Sequence, residues 1–316
     1  MIMNPVNKRK VRLQLKWYPN AAFAGIFVAK TKGFFTQEGI DVEIISGFTG
    51  INVDQLVADG FADLGVSSLD SVMFHGERGL PIVSIAQIFQ GSSQGVVTLK
   101  SSGIDTIEKM AGKTIGTFGG VNQLQPMAFL NKFYLRNRVK LIIQKSMNQL
   151  LTKEIDVGSV TMYNQLQPPY EKGLRPENLN ILTFTRAGVG MLEDTIVASK
   201  QFANQNPELS ARFVRALLRG WRYIFTNPIE SVDIVMRFIP RGGSTRGHQV
   251  NMLKSVQSFI KPKGFELCDI GSFKRSAIMS TANVLYQRDL IKCPLEAIKV
   301  IRPSIVSLAL RNCNAS

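Results

Sequence analysis

Residues 12–46 read RLQLKWYPNAAFAGIFVAKTKGFFTQEGIDVEIIS, and this pattern decides the fold. Leu13 and Leu15 alternate with polar neighbours, the period of a half-buried strand. Trp17-Tyr18-Pro19-Asn20 ends that strand, because proline cannot continue a ladder. Phe23, Ile26, Phe27 and Lys30 then recur near helical spacing, which predicts a helix over 21–35 with Gly33 close to its end. Gly39 turns the chain into a second strand over 42–46. The unit is strand–helix–strand, with two aromatics at the carboxyl end of the first strand. Open α/β sheets bind ligands at that edge. Trp17, Tyr18 and the adjoining Asn20 are therefore candidate ligand residues, and the rings offer a stacking surface.

The same alternation of periods continues outward. Helices are predicted over 53–61 and 69–79, and strands over 63–66 and 81–89, giving a mostly parallel sheet covered by helices. A second α/β series starts with a strand over 95–100. It continues with a short helix over 106–111, with Asp105 as N-cap, and a strand over 113–118. The turn Gly119-Gly120-Val121-Asn122 leads into a helix over 123–135. Strands over 139–144, 157–162 and 179–184 and helices over 148–154 and 164–172 follow, the last in spite of Pro168 and Pro169. From Pro207 the pattern is helical: 209–225, 229–238, 250–260, 273–286 and 298–310. Two α/β series and a helical tail predict two lobes, residues 10–95 plus 200–316 and residues 96–199. The chain is expected to cross between them near 94–97 and 195–200, leaving a cleft faced by strand ends.

Composition narrows the class. The 316 residues are 45% hydrophobic, without any run of eighteen apolar residues, so no membrane span is expected. The opening MIMNPVNKRK has charge but no apolar h-region. The expected location is therefore extracytoplasmic (periplasmic or membrane-associated) if a leader precedes this sequence, and cytoplasmic otherwise. Cys268, Cys293 and Cys313 have no metal-ligand spacing, and a Cys268–Cys293 bridge is left open. His75 and His248 stand alone, so no metal or cofactor is expected. The net charge of +15 comes from 38 basic and 23 acidic residues. They are dispersed, apart from Lys8-Arg9-Lys10 and the helical face of Arg212, Arg215, Arg219 and Arg222. No nucleic-acid motif accompanies them. The charge reads as a solvated surface with weak attraction to anionic membrane.

KWYPN, AGIFVAKTKGFFTQEGIDVEI, VADGFADLGV, GERGLPIVSIAQIFQ and GVGMLED together resemble the NMT1/THI5-like group, as do RGW at 219–221 and RGHQ at 246–249. The resemblance covers about residues 11–262. That group holds ABC-importer substrate-binding proteins for thiamine-precursor pyrimidines and the fungal thiamine-pyrimidine synthases. It implies a type II periplasmic-binding fold, an α/β architecture of two lobes, a cleft and two crossovers, closing on a small ligand. A pyrimidine ligand and an ABC permease partner follow from it. In the synthases a Schiff-base lysine and a sacrificed histidine lie just after the strand that corresponds to 63–66. Here those positions resemble Ser67 and Ser71, and Gly190-Met191-Leu192-Glu193-Asp194 replaces the cysteine-rich run. The resemblance therefore implies a binder and not an enzyme. Formylaminopyrimidine, hydroxymethylpyrimidine, riboflavin-like rings and alkylsulfonates stay open as ligands. Two departures fall in lobe two: the connection into the strand at Val139 is only Arg136-Asn137-Arg138, and Pro126 is expected to interrupt its helix.

Trp17 and Tyr18 either clamp a heterocycle or pack the core; alternation of a strand needs only one of them buried. Glu193 lies in a mostly apolar stretch and must find a donor. The paired N–H groups of an aminopyrimidine are one; a structural ion pair or cap is the alternative. Gly119, Gly120 and Asn122 can present N–H groups to an anion or merely form a turn. Tyr163 and Asn164 end a lobe-two strand, and Ser67 and Ser68 end a lobe-one strand. All are candidate ligand contacts.

Overall fold

The structure, a computed structural model, describes residues 8–166, 173 and 175–311. Its strands are β1 Arg9–Gln14, β2 Ile40–Ile45, β3 Leu64–Ser68, β4 Ile82–Gln87, β5 Gln94–Leu99, β6 Thr114–Thr117, β7 Lys140–Ile143, β8 Gly158–Thr161, β9 Leu179–Thr183 and β10 Asp194–Ser199. The first sheet has the order β2-β1-β3-β10-β4. Strand β1 runs parallel to β2 in the register Val11↔Val42 and Leu13↔Ile44, whereas β10 runs antiparallel to both β3 and β4. In the second lobe β5 lies between β8 and β9, antiparallel to each, and β6 pairs parallel with β7. A parallel bridge between Ile115 and Val157 joins these two pieces.

A mostly parallel sheet was expected, and each lobe contains one reversed strand. The reason is connectivity: β5 and β10 are the first strands after a crossover and enter their sheets from the opposite side. The crossovers occupy residues 88–93 and 184–193. On sheet membership we propose these segments as the lobe boundaries, in place of 95/96 and 199/200.

The helices around the first sheet are α1 Ala24–Thr31, α2 Phe34–Gln37, α3 Val53–Ala58 and α4 Leu69–Glu77. Lobe two adds α5 Leu124–Lys132 and α6 Asn148–Leu151, and the C-terminal third adds α7 Lys200–Gln205, α8 Pro207–Thr226, α9 Pro228–Met236, α10 Arg246–Ile260, α11 Arg275–Gln287, α12 Pro294–Ala297 and α13 Pro303–Leu310. The single helix expected over 21–35 is broken because Gly33 takes a left-handed φ of 74°. Pro126 does not interrupt α5. It falls in the first turn, where its missing N–H has no intrahelical partner to lose. Asp105 is not a cap; it pairs with Lys109 at 2.8 Å beside a single turn, Glu108–Met110. Residues 162–166 form a turn, and the remainder of the helix expected over 164–172 lies outside the described residues, as does Cys313. Cys268 and Cys293 are free thiols.

The α8 arginines are not merely solvated. Arg215 pairs with Glu38 at 2.7 Å, Arg212 and Arg219 donate to Glu38 O and Gln37 Oε1, and Arg222 donates to Leu267 O. They fasten the end of α2 and the C-terminal region to α8. The apolar side of α8 packs on α1, with Trp221 fully buried. Two glycines permit this contact. A Cβ on Gly25 would enter the Trp221 ring, and one on Gly220 would meet the Gly25 carbonyl oxygen. The RGW motif is thus a packing motif. Gly220→Ala should destabilise the protein by about 1–3 kcal/mol, as overpacking does, and chemical denaturation should read this as a lower midpoint at unchanged slope.

Candidate functional site

The β1 ladder continues past its last strand residue, with Leu15 N–H donating to Ile45 O at 2.9 Å. Val11, Leu13 and Leu15 point into the core. Alternation sends Lys16 to the other face, where it is only 4% exposed. Its Nζ lies 2.6 Å from Asp194 Oδ1 at the start of β10 and donates to Asn122 Oδ1 of lobe two at 3.3 Å. Burial works against the ammonium charge, but Asp194, Glu193 and Asp70 outweigh it, so the Lys16 pKa is raised. Lys16 was missed from sequence because a lysine in an alternating strand reads as solvent-facing. The available signal was the Glu193-Asp194 pair in an apolar segment, which needed a cation.

Glu193 is equally buried but faces elsewhere. One carboxylate oxygen accepts from Ser93 N–H at 2.9 Å and Gln125 Nε2 at 3.1 Å, and the other accepts from Ser93 Oγ at 2.5 Å. Gln125 Oε1 in turn accepts from Ser92 Oγ and Met191 N–H. This network stitches the second crossover to the first and to α5. Burial pushes the Glu193 carboxyl up, and Lys16 and the Ser93 donors oppose it. Asp70, in the first turn of α4, is pushed by burial from 3.8 up to about 7, against the Ser68 hydroxyl and the Ser71 N–H. Ser67 and Ser68 are fully buried beside β10, in register with Thr195 and Asp194.

A void of about 20 Å³ lies where the lobes meet, walled by Lys16, Trp17, Asn20, Phe118, Asn122, Thr161, Tyr163, Asn164 and Gln165. Five of the sequence candidates therefore converge: Trp17, Asn20, Asn122, Tyr163 and Asn164. Phe118 joins them, its ring edge-on to Trp17 at 5.8 Å. Asn20 also caps the turn after β1 by accepting from Ala22 N–H. The void holds about one water, so the lobes are closed on each other. Outside it, a groove of about 680 Å³ runs past Trp17, Tyr18, Asn164 and His248. Tyr18, 53% exposed, faces this groove and not the inner void. Trp17 and Asn164 belong to both, and a contact of 3.1 Å between Asn164 Oδ1 and His248 Nε2 spans the mouth.

Ser67, Ser68, Gly119, Gly120 and Glu193 do not line the void. Gly119 and Gly120 are an interlobe contact: both have positive φ, and a Cβ on Gly120 would meet Ile51 O. His75 is bound through Nδ1 to buried Asp54 at 2.9 Å, and Asp54 also accepts from Ser71 Oγ. Among the described residues no cluster of His, Cys, Asp and Glu is placed to hold a metal, and no helix is long and apolar enough to cross a membrane.

Two α/β lobes, two crossovers and a cleft at the strand ends define the type II periplasmic-binding-protein fold. Solved structures agree: the alkanesulfonate-binding protein SsuA from Xanthomonas axonopodis pv. citri, bound to MOPS, superposes with a TM-score of 0.70 at 12% identity, covering 94% of this chain and 99% of that one. The family model described as NMT1/THI5 like matches residues 20–231, and the chain belongs to that family. A 4-amino-5-hydroxymethyl-2-methylpyrimidine phosphate synthase from Saccharomyces cerevisiae is 25% identical over 244 residues, 73% of this chain and 72% of its own. The formylaminopyrimidine-binding protein of Halalkalibacterium halodurans is 24% identical over 234 residues, 72% of this chain and 69% of its own.

Two outcomes follow from the buried charges. Asp194→Asn leaves Lys16 charged and unpaired in the interior, which should cost about 3–5 kcal/mol, whereas Lys16→Met with Asp194→Leu should recover most of it; urea unfolding measures both. For Asp70, the folded-state pKa lies above the unfolded value. The unfolded state therefore releases its proton first, and stability falls as pH rises from about 4 to about 7. Asp70→Asn should raise the melting temperature most at pH values above that window and least below it.

Proposed function

We propose that this protein is a substrate-binding protein that captures a small aminopyrimidine of the thiamine-precursor type between its lobes and delivers it to an ABC permease. The observation that carries the reading is the charge balance under Trp17. Lys16 lines the void and is neutralised by Asp194 behind it, so the charge that reaches the void is balanced. Such a balanced floor favours an uncharged polar ring over a sulfonate or phosphate, which would need an unpaired cation. Trp17 and Phe118 supply flat apolar walls, and Asn122 and Asn164 supply polar groups from lobe two. We assign the polar recognition to Asn20, Asn122 and Asn164, which line the void, and not to Glu193, whose oxygens are taken by protein donors. The formylaminopyrimidine-binding relative supports the same ligand class. Delivery to a permease implies an extracytoplasmic location.

The relatives named as pyrimidine phosphate synthases favour a second reading, an enzyme using pyridoxal phosphate and a histidine. That chemistry needs a neutral lysine amine as nucleophile. Ser67 and Ser71 hold the positions that resemble the synthase lysine and histidine, and the Ser71 hydroxyl is bound to Asp54. Lys16 is held protonated by its acids.

Calorimetric titration against formylaminopyrimidine, hydroxymethylpyrimidine and an alkylsulfonate tests the ligand class. The two pyrimidines should bind and the sulfonate should not; the reverse result sinks the proposal. Trp17→Ala should weaken pyrimidine binding by about 1–3 kcal/mol, the range of base–aromatic stacking. Incubation with pyridoxal phosphate and iron should give neither a lysine adduct nor a pyrimidine phosphate, and their appearance with loss of one histidine would establish the synthase.

A further inference from the structure

Strand β7 forms an edge of lobe two, pairing with β6 alone among the described residues. Its register, Ile115↔Leu141 and Thr117↔Ile143, puts Leu141 and Ile143 on one face, opposite Ile142, which packs against the lobe-two core. Both reach solvent: Leu141 is 36% and Ile143 50% exposed. Leading into β7, Tyr134 takes a left-handed φ of 53° and is 84% exposed. Arg136 and Arg138 follow at once, both exposed, and Lys140 and Lys145 flank the strand.

The charge on this side of the molecule is one-sided. Residues 113–156 contain seven Lys or Arg and two acids, Glu154 and Asp156. Both acids are engaged locally, Glu154 by Gln149 and Asp156 by the Thr114 N–H. Among the described residues none of the seven cations forms an ion pair. The apolar and cationic groups therefore share one edge, along the short connection and the strand it feeds.

We propose that the Tyr134–Ile143 edge docks on an anionic lipid surface. The arginines and lysines meet the headgroups, and Tyr134, Leu141 and Ile143 enter the interfacial layer. Cations alone would suit any polyanion. The exposed aliphatic pair decides for lipid, because a nucleic-acid backbone offers Leu141 and Ile143 nothing to bury against, whereas a bilayer interface does. The proposal is independent of the ligand bound in the cleft.

The test is co-sedimentation of the intact protein with vesicles of phosphatidylglycerol and phosphatidylcholine, against vesicles of phosphatidylcholine alone. Binding should require the anionic lipid and fall as salt rises. Arg136→Glu with Arg138→Glu should weaken it at least about tenfold. Leu141→Ser with Ile143→Ser should remove the fraction that persists in high salt. Because all four positions are exposed, unchanged melting temperatures would exclude misfolding, and single substitutions replace any pair that melts early. No binding to anionic vesicles, equal binding to both vesicle types, or retention by duplex DNA with the Leu141/Ile143 variant binding vesicles undiminished would each overturn the proposal.

Discussion

The Lys16–Asp194 ion pair is the constraint around which the cleft is arranged. It joins the end of the first strand to the start of the strand that returns from lobe two. A charge this deep is tolerated only with a close partner, so β10 must begin where Lys16 ends. The residue before Asp194 then points the opposite way. Alternation thus divides adjacent acids between two tasks: Asp194 holds the lysine, and Glu193 binds the crossovers through Ser93 and Gln125. One buried pair thus sets the end of β1 against the start of β10, beside the join of the two crossovers.

Much of the fold was legible because its signals are local. Leu13 and Leu15 alternate, Pro19 and Asn20 end the strand, and Gly39 turns the chain. What was misread depended on position within an element or on distant partners. Pro126 looks like a breaker in a one-dimensional reading and is harmless in a first turn. The reversed direction of β5 and β10 follows from crossovers that periodicity cannot orient. At the site, Trp17, Asn20, Asn122, Tyr163 and Asn164 were identifiable as residues at strand ends or turns. Lys16 was not, since its partner, Asp194, stands far along the chain at the start of β10. Gly119 and Gly120 suggested an anion cradle, yet their conformations serve the close approach to Gly50 and Ile51.

The chain as a whole is strongly basic, while the charge that reaches the void, that of Lys16, is balanced by Asp194. The two are separated by burial. The exterior charge lies in water and is screened within about 10 Å at moderate salt. The acids under Trp17 sit in a low-dielectric interior, where Asp70 is driven toward its neutral form. Overall charge therefore says little about what the cleft attracts.

The closed mouth has a kinetic consequence. The inner void has room for about one water, and the contact between Asn164 and His248 spans the way in. Any solute must wait for the lobes to part. Its observed association rate should then rise with concentration only to a plateau, and that plateau is the opening rate itself. The apparent affinity is correspondingly multiplied by the fraction of time the cleft spends open.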